Sequence, residues 1–120
     1  MEHFSYKDNN LLVEDASIAS VAEKYGTPCF IYSKAALEQN YHAYEKAFED
    51  HSHLICYAVK ANSNLAVLNI LSKLGAGFDI VSGGELDRVI AAGGDPKKVT
   101  FSGLGKTTQE IYKALDAGIH

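Results

Sequence analysis

The 120 residues are enough for one small domain with a modest core. Apolar residues make up 47% and charged residues 22% of the chain, as in an ordinary soluble globular protein. The net charge is −4 and the basic residues are spread out, which argues against nucleic acid or an anionic membrane surface as the main partner. No apolar run approaches the length of a membrane span. The opening Met1-Glu2-His3-Phe4 carries no basic and apolar signal region, so a cytoplasmic location is expected. Cys29 and Cys56 both fall in β-like runs and are expected as small buried hydrophobes in a reducing compartment rather than as a disulfide.

In chain order, Leu11-Leu12-Val13 reads as a strand and Ile18-Ala19-Ser20-Val21-Ala22 as a short helix, both outside the repeat that follows. Pro28-Cys29-Phe30-Ile31-Tyr32 is a β-rich run. Ser33 can cap a helix whose Leu37, Tyr41, Tyr44 and Phe48 recur at helical spacing. Leu54 to Val59 predicts a second strand, and Leu65, Leu68, Leu71 and Leu74 a helix that stops at Gly75. Phe78-Asp79-Ile80-Val81 predicts a third strand, then Gly83-Gly84 and a helix carrying Leu86, Val89 and Ile90. Gly93-Gly94-Asp95-Pro96 makes a turn into a fourth strand, Val99 to Ser102. Thr107 or Thr108 then caps a last helix running to Gly118.

Alternating strand and helix units build a parallel sheet covered by helices. A doubly wound sheet and a (β/α)8 barrel both fit. The barrel needs eight units and typically about 250 residues. Four units are present, and Gly118-Ile119-His120 stands where a fifth strand is due. The expected fold is therefore α/β, the first half of a TIM-like barrel. Strand parity supports this. Ile55, Tyr57 and Val59 share one face of the second strand, while Cys56, Ala58 and Lys60 share the other. The same alternation puts Lys60, Asp79 and Ser102 at or near C-terminal strand ends on the inner face, where such barrels carry their sites. Capping or turn use is the competing account of Asp79 and Ser102.

Tyr57-Ala58-Val59-Lys60-Ala61-Asn62 is an apolar run ending in one lysine before a small, polar turn. A lysine that forms an imine with an aldehyde cofactor needs a rigid strand end, small neighbours and an amine that is often neutral. A solvated strand-end lysine is the plainer alternative.

Other motifs carry less. Gly103-Leu104-Gly105-Lys106-Thr107 fails the phosphate-loop pattern, because Thr100 stands where the first glycine belongs. It fails the dinucleotide fingerprint at Thr108. His51 and His53 precede a strand without supporting ligands and read as loop histidines, so no metal is expected. Ser82-Gly83-Gly84 can offer backbone donors at a helix start or form a tight turn. Glu85 can reach toward the lysine or serve as a first-turn carboxylate.

Four segments together resemble the alanine-racemase-like barrel decarboxylases that use pyridoxal phosphate. They are Gly26-Thr27-Pro28 leading into Phe30-Ile31-Tyr32, the lysine hexapeptide at 57–62, Gly77 to Leu86, and Phe101 to Lys106. Val81-Ser82-Gly83-Gly84-Glu85-Leu86 narrows the resemblance to the diaminopimelate branch. The resemblance implies that Lys60 bonds the cofactor, that Ala58 lies beside its ring, and that Asp79 and Glu85 sit near the lysine. It implies that residues 1–27 belong to a second, mostly β domain and residues 28–120 to the cofactor-binding barrel. The implied reaction removes carbon dioxide from meso-2,6-diaminopimelate to give L-lysine, in a cytoplasmic homodimer acting on a small amino acid. The 120 residues alone are expected to be inactive. Ornithine or arginine decarboxylases and a non-catalytic cofactor-binding protein are the alternatives. An alanine racemase is disfavoured, since Ser63-Asn64-Leu65-Ala66 replaces its Tyr-Gly-His-Gly run.

Overall fold

The computed structural model describes residues 3–119; Met1, Glu2 and His120, which enter the reading of the two chain ends, lie outside the described residues. The chain divides into two compact units, one reaching to Asn40 and one beginning at Tyr41. Each unit contains its own three-stranded sheet.

In the first unit, β1 (Phe4–Lys7) and β2 (Asn10–Val13) form an antiparallel hairpin with Phe4 opposite Val13. Its turn, Asp8-Asn9, has φ of +49° and +61°. Short polar side chains tolerate that left-handed backbone better than others do. β3 (Ala16–Ser17) folds back on β2, and Ser17 caps α1 (Ile18–Tyr25) by accepting from Ser20 N. Glu14, in the turn between β2 and β3, reaches the start of α2 (Lys34–Ala47). Its Oε1 accepts from Ser33 Oγ at 2.7 Å and from Ala35 N at 2.9 Å, and Ser33 Oγ accepts in turn from Ala36 N. Ser33 thus caps its helix as the sequence predicts.

The run Pro28–Tyr32, predicted as the first strand of the repeat, is not a strand. No described strand pairs with it, and Phe30 is 90% exposed. β-rich composition expresses itself only beside a partner. Cys29 is consequently exposed rather than buried.

In the second unit, β4 (Cys56–Ala58), β5 (Gly77–Ile80) and β6 (Val99–Phe101) form a parallel sheet in sequential order. α3 (Leu65–Lys73), α4 (Gly83–Ala91) and α5 (Thr108–Asp116) alternate with them, as the repeat predicts. Phe78, Ile80 and Val99 on the sheet, with Leu68, Leu86 and Val89 on the helices, are fully buried. Their strand neighbours Asp79 and Thr100 are not. The period of two therefore separates a face covered by helices from a face left open. Cys56 lies on the open face, which is why it too is exposed.

Tight links keep the units short. α3 ends on Gly75 at φ +93°, with Gly75 N donating to Ser72 O and Ala76 N to Leu71 O. This is the Schellman arrangement, for which glycine has no steric penalty. Two residues on, a Cβ at Gly77 would lie 2.5 Å from Lys98 O and 2.7 Å from Cys56 Sγ, so the sheet closes only around a glycine.

Glu110 stitches α4 to α5. Its Oε1 accepts from Gly83 N at 2.9 Å, and its Oε2 accepts from Thr107 N and Oγ1, both at 2.9 Å. The Gly83 amide first, then the Thr107 donors, hold its carboxyl below the ordinary value of 4.5. Glu14 is lowered likewise, chiefly by the Ser33 hydroxyl. A carboxyl whose folded pKa is depressed stabilises the fold above its unfolded pKa, and that stabilisation is lost as pH falls through the folded value. Both units are therefore expected to weaken below pH 4.5. Urea midpoints measured across that range check this, and Glu110→Ala is expected to flatten the acid limb.

Candidate functional site

The site is built around Lys60. β4 stops at Ala58, one residue earlier than predicted, and Val59–Ala61 forms a 3-10 turn. Val59 is fully buried and anchors the turn, which leaves Lys60 exposed beside it. The residues that follow pin the turn in place. Tyr57 Oη donates to Asn62 O at 3.1 Å, and Arg88 Nε donates to Ser63 O at 2.7 Å. Asn62 Oδ1 accepts from Asn64 N, and Asn64 Oδ1 caps α3 through Ala66 N, both at 2.9 Å. The small polar run after the lysine is thus a locked entry into α3. Among the described residues Lys60 has no hydrogen-bond or ion-pair partner.

The open face of the sheet supplies the rest. Ala58 pairs with Asp79, and Asp79 with Thr100, so the three form one row across the strands. β5 also lies against the Lys60 turn. Ser102, just past β6, donates from Oγ to Asp79 Oδ1 at 2.6 Å. Burial, and next the Asp79 carboxylate, push the Cys56 thiol up from its ordinary value. An exposed lysine thus lies in a turn that directly follows the small Ala58 and adjoins the strand carrying Asp79. That combination suits an aldehyde cofactor, which needs an accessible amine to bond it and small neighbours around it.

Of the residues singled out from sequence, the structure brings Ala58, Asp79 and Ser102 together on one face. Among the described residues, neither Asp79 nor Glu85 has a bond to Lys60. Glu85 Oε2 instead accepts from Val81 N at 2.7 Å, while Ser82 Oγ accepts from Glu85 N. With Gly83 N taken by Glu110, the Ser82-Gly83-Gly84 segment is a capped helix start. The 103–107 loop closes on itself, since Lys106 Nζ donates to Gly103 O at 2.7 Å and lies over the Phe101 ring. His53 binds His51 O, as loop histidines do. Among the described residues no group of three or more metal-ligating side chains converges. No described helix is long and apolar enough to cross a membrane.

Arg88 is the contributor that sequence reasoning missed. It lies 25 residues beyond its partner Ser63, and nothing in local pattern marks so distant a contact.

A lysine in the turn that follows the first strand of a parallel β/α sheet, with β5 against that turn and Ala58, Asp79 and Thr100 in one row across the strands, is the arrangement the comparisons bear on. Residues 34–120 match the family described as pyridoxal-dependent decarboxylase, pyridoxal binding domain, and the chain belongs to that family. It is 56% identical to the diaminopimelate decarboxylase of Pseudomonas aeruginosa over 120 residues, all of this chain and 29% of that protein. It is 58% identical to the diaminopimelate decarboxylase of Vibrio cholerae, across 99% of this chain and 29% of that protein. The crystal structure of diaminopimelate decarboxylase from M. jannaschii in co-complex with L-lysine matches with a TM-score of 0.93 at 35% identity, over 98% of this chain and 29% of that one. Lysine/ornithine decarboxylase from Vibrio vulnificus, complexed with cadaverine, matches with a TM-score of 0.77 at 25% identity, over 85% of this chain and 28% of that one. The chain spans about 29% of the length of the curated relatives it matches. The second unit has the fold of the N-terminal part of a barrel domain, as the strand parity predicts.

Proposed function

We propose that this chain carries the cofactor lysine of a diaminopimelate decarboxylase, with Lys60 bonding pyridoxal phosphate. In this reading Ala58 and Asp79 line the cofactor's face. The observation that carries the choice of substrate is the gap in identity: 56% to a diaminopimelate decarboxylase against 25% to a lysine/ornithine decarboxylase. The proposed reaction converts meso-2,6-diaminopimelate to L-lysine and carbon dioxide. The whole protein, rather than these 120 residues, is the unit of activity. We assign residues 1–27 to a second, mostly β domain and residues 28–120 to the barrel. A cytoplasmic homodimer completes the reading.

The chemistry follows from the residues. Bound pyridoxal phosphate supplies an electron sink for the pair of electrons left when carbon dioxide departs. Lys60 Nζ would hold the cofactor through its aldehyde, and the turn that carries it is fixed because Val59, Tyr57 and Arg88 hold both sides of it. Lys60 Nζ, held on the same turn, would be the group that carries a proton to or from the reacting carbon whenever it is not bonded to the cofactor. Ala58 leaves room where a larger side chain would fill the face. Asp79 and Ser102 keep that face polar.

The test is carbon dioxide release by the full-length protein carrying this sequence. Turnover of meso-diaminopimelate, with arginine, ornithine and lysine at background, is the expected result. Turnover of ornithine or arginine instead overturns the substrate assignment. Cofactor binding without release from any of the four supports a non-catalytic binder.

A further inference from the structure

We infer that Ser102 is a positioning residue for this site, holding the Asp79 carboxylate on the open sheet face beside Ala58 and the Lys60 turn. This rests on the cofactor reading above. The Ser102 hydroxyl has one proton and two acceptors within reach, Asp79 Oδ1 at 2.6 Å and Ile80 O at 3.5 Å. The shorter contact is a strong charge-assisted hydrogen bond and the longer one is marginal, so the proton goes to Asp79. The backbone of Ser102 is fixed independently, because its N–H donates to Ile80 O at 2.9 Å. The hydroxyl is therefore not needed to hold the strand end in place, and its contact with Asp79 restricts where the carboxylate can lie. Asp79 pairs in register with Ala58, and its strand touches the Lys60 turn. One oxygen is bound by Ser102, which restrains the carboxylate's rotation and fixes negative charge on the face where the lysine works.

Cys56 reports on that charge without any cofactor. It lies on the same face, and the Asp79 carboxylate contributes to holding its thiol protonated. The hydroxyl dipole of Ser102 offsets part of the carboxylate's field. In the cofactor-free protein, Ser102→Ala is thus expected to slow alkylation of Cys56 about twofold at fixed pH, and Asp79→Asn to speed it. Cys29 serves as the internal reference.

With pyridoxal phosphate added below saturation and borohydride used to trap it, Ser102→Ala is expected to lower labelling of Lys60 roughly fivefold, about the net worth of one ordinary hydrogen bond. Ser102→Thr is expected to restore both readouts, and Ser102→Ala to add nothing in an Asp79→Asn background. Wild-type values in Ser102→Ala, or an undiminished effect of that substitution in the Asp79→Asn background, overturn the inference while leaving the cofactor reading standing. Absence of any Lys60 label in the wild type overturns the cofactor reading, and with it the role given to Ser102.

Discussion

Lys60→Ala is expected to abolish decarboxylation by the full-length protein, with kcat/KM falling on the order of 10⁴-fold or more. On the proposed reading two functions would be lost together, the amine that would hold the cofactor and the amine that would carry the proton. Lys60→Arg is expected to fare no better, because a guanidinium keeps the charge but cannot form the bond. Stability separates this from a folding defect. Lys60 is exposed and has no side-chain partner among the described residues. Its replacement is therefore expected to change unfolding free energy by no more than about 0.5 kcal/mol. Steady-state rates and urea unfolding of the same variants check both halves.

Phe78→Ala is expected to do the reverse. The ring is fully buried in the central strand of the parallel sheet. It also packs so closely that a Cβ at Gly94 would lie 3.0 Å from its Cε2 and 2.5 Å from Val89 Cγ1. Truncating a buried phenylalanine costs about 3–5 kcal/mol from lost transfer energy and the cavity left behind. Small domains are stable by only about 5–15 kcal/mol, so a large part of the stability goes. Phe78→Leu is expected to lose less, since it refills most of the volume. Asp79, the next residue, points to the opposite face, and Asp79→Asn is expected to alter the site with far less effect on the urea midpoint. Adjacent residues with opposite consequences are what a half-covered sheet requires.

Much of this was legible because parallel β/α repeats leave strong local marks. The leucines of α3 and their glycine stop were readable at the helical period, and the burial of Phe78, Ile80 and Val99 at the strand period. Parity alone put Asp79 and Ser102 at one end of one face, where a hydrogen bond joins them, whereas Lys60 falls in a 3-10 turn past the strand to which the alternation was applied. Pro28–Tyr32 misled for a physical reason, since a strand is made by its neighbour as much as by its own residues. β1 was missed although a signal existed. Asp8-Asn9 between the alternating Phe4, Tyr6 and Leu11, Val13 is a hairpin turn. Glu85 and Glu110 show the opposite limit. Both carry first-turn positions, but only coordinates reveal that Glu85 serves the Val81 amide and Glu110 the start of a different helix.

The central claim is that Lys60 is the cofactor lysine, and chemical trapping tests it most directly. The protein is incubated with pyridoxal phosphate and reduced with borohydride, and the pyridoxyl group is mapped among its ten lysines. The account predicts a label concentrated on Lys60, lost in Lys60→Arg without migrating to other exposed lysines such as Lys73 or Lys97. A label scattered over the surface lysines, or concentrated on any lysine other than Lys60, contradicts it.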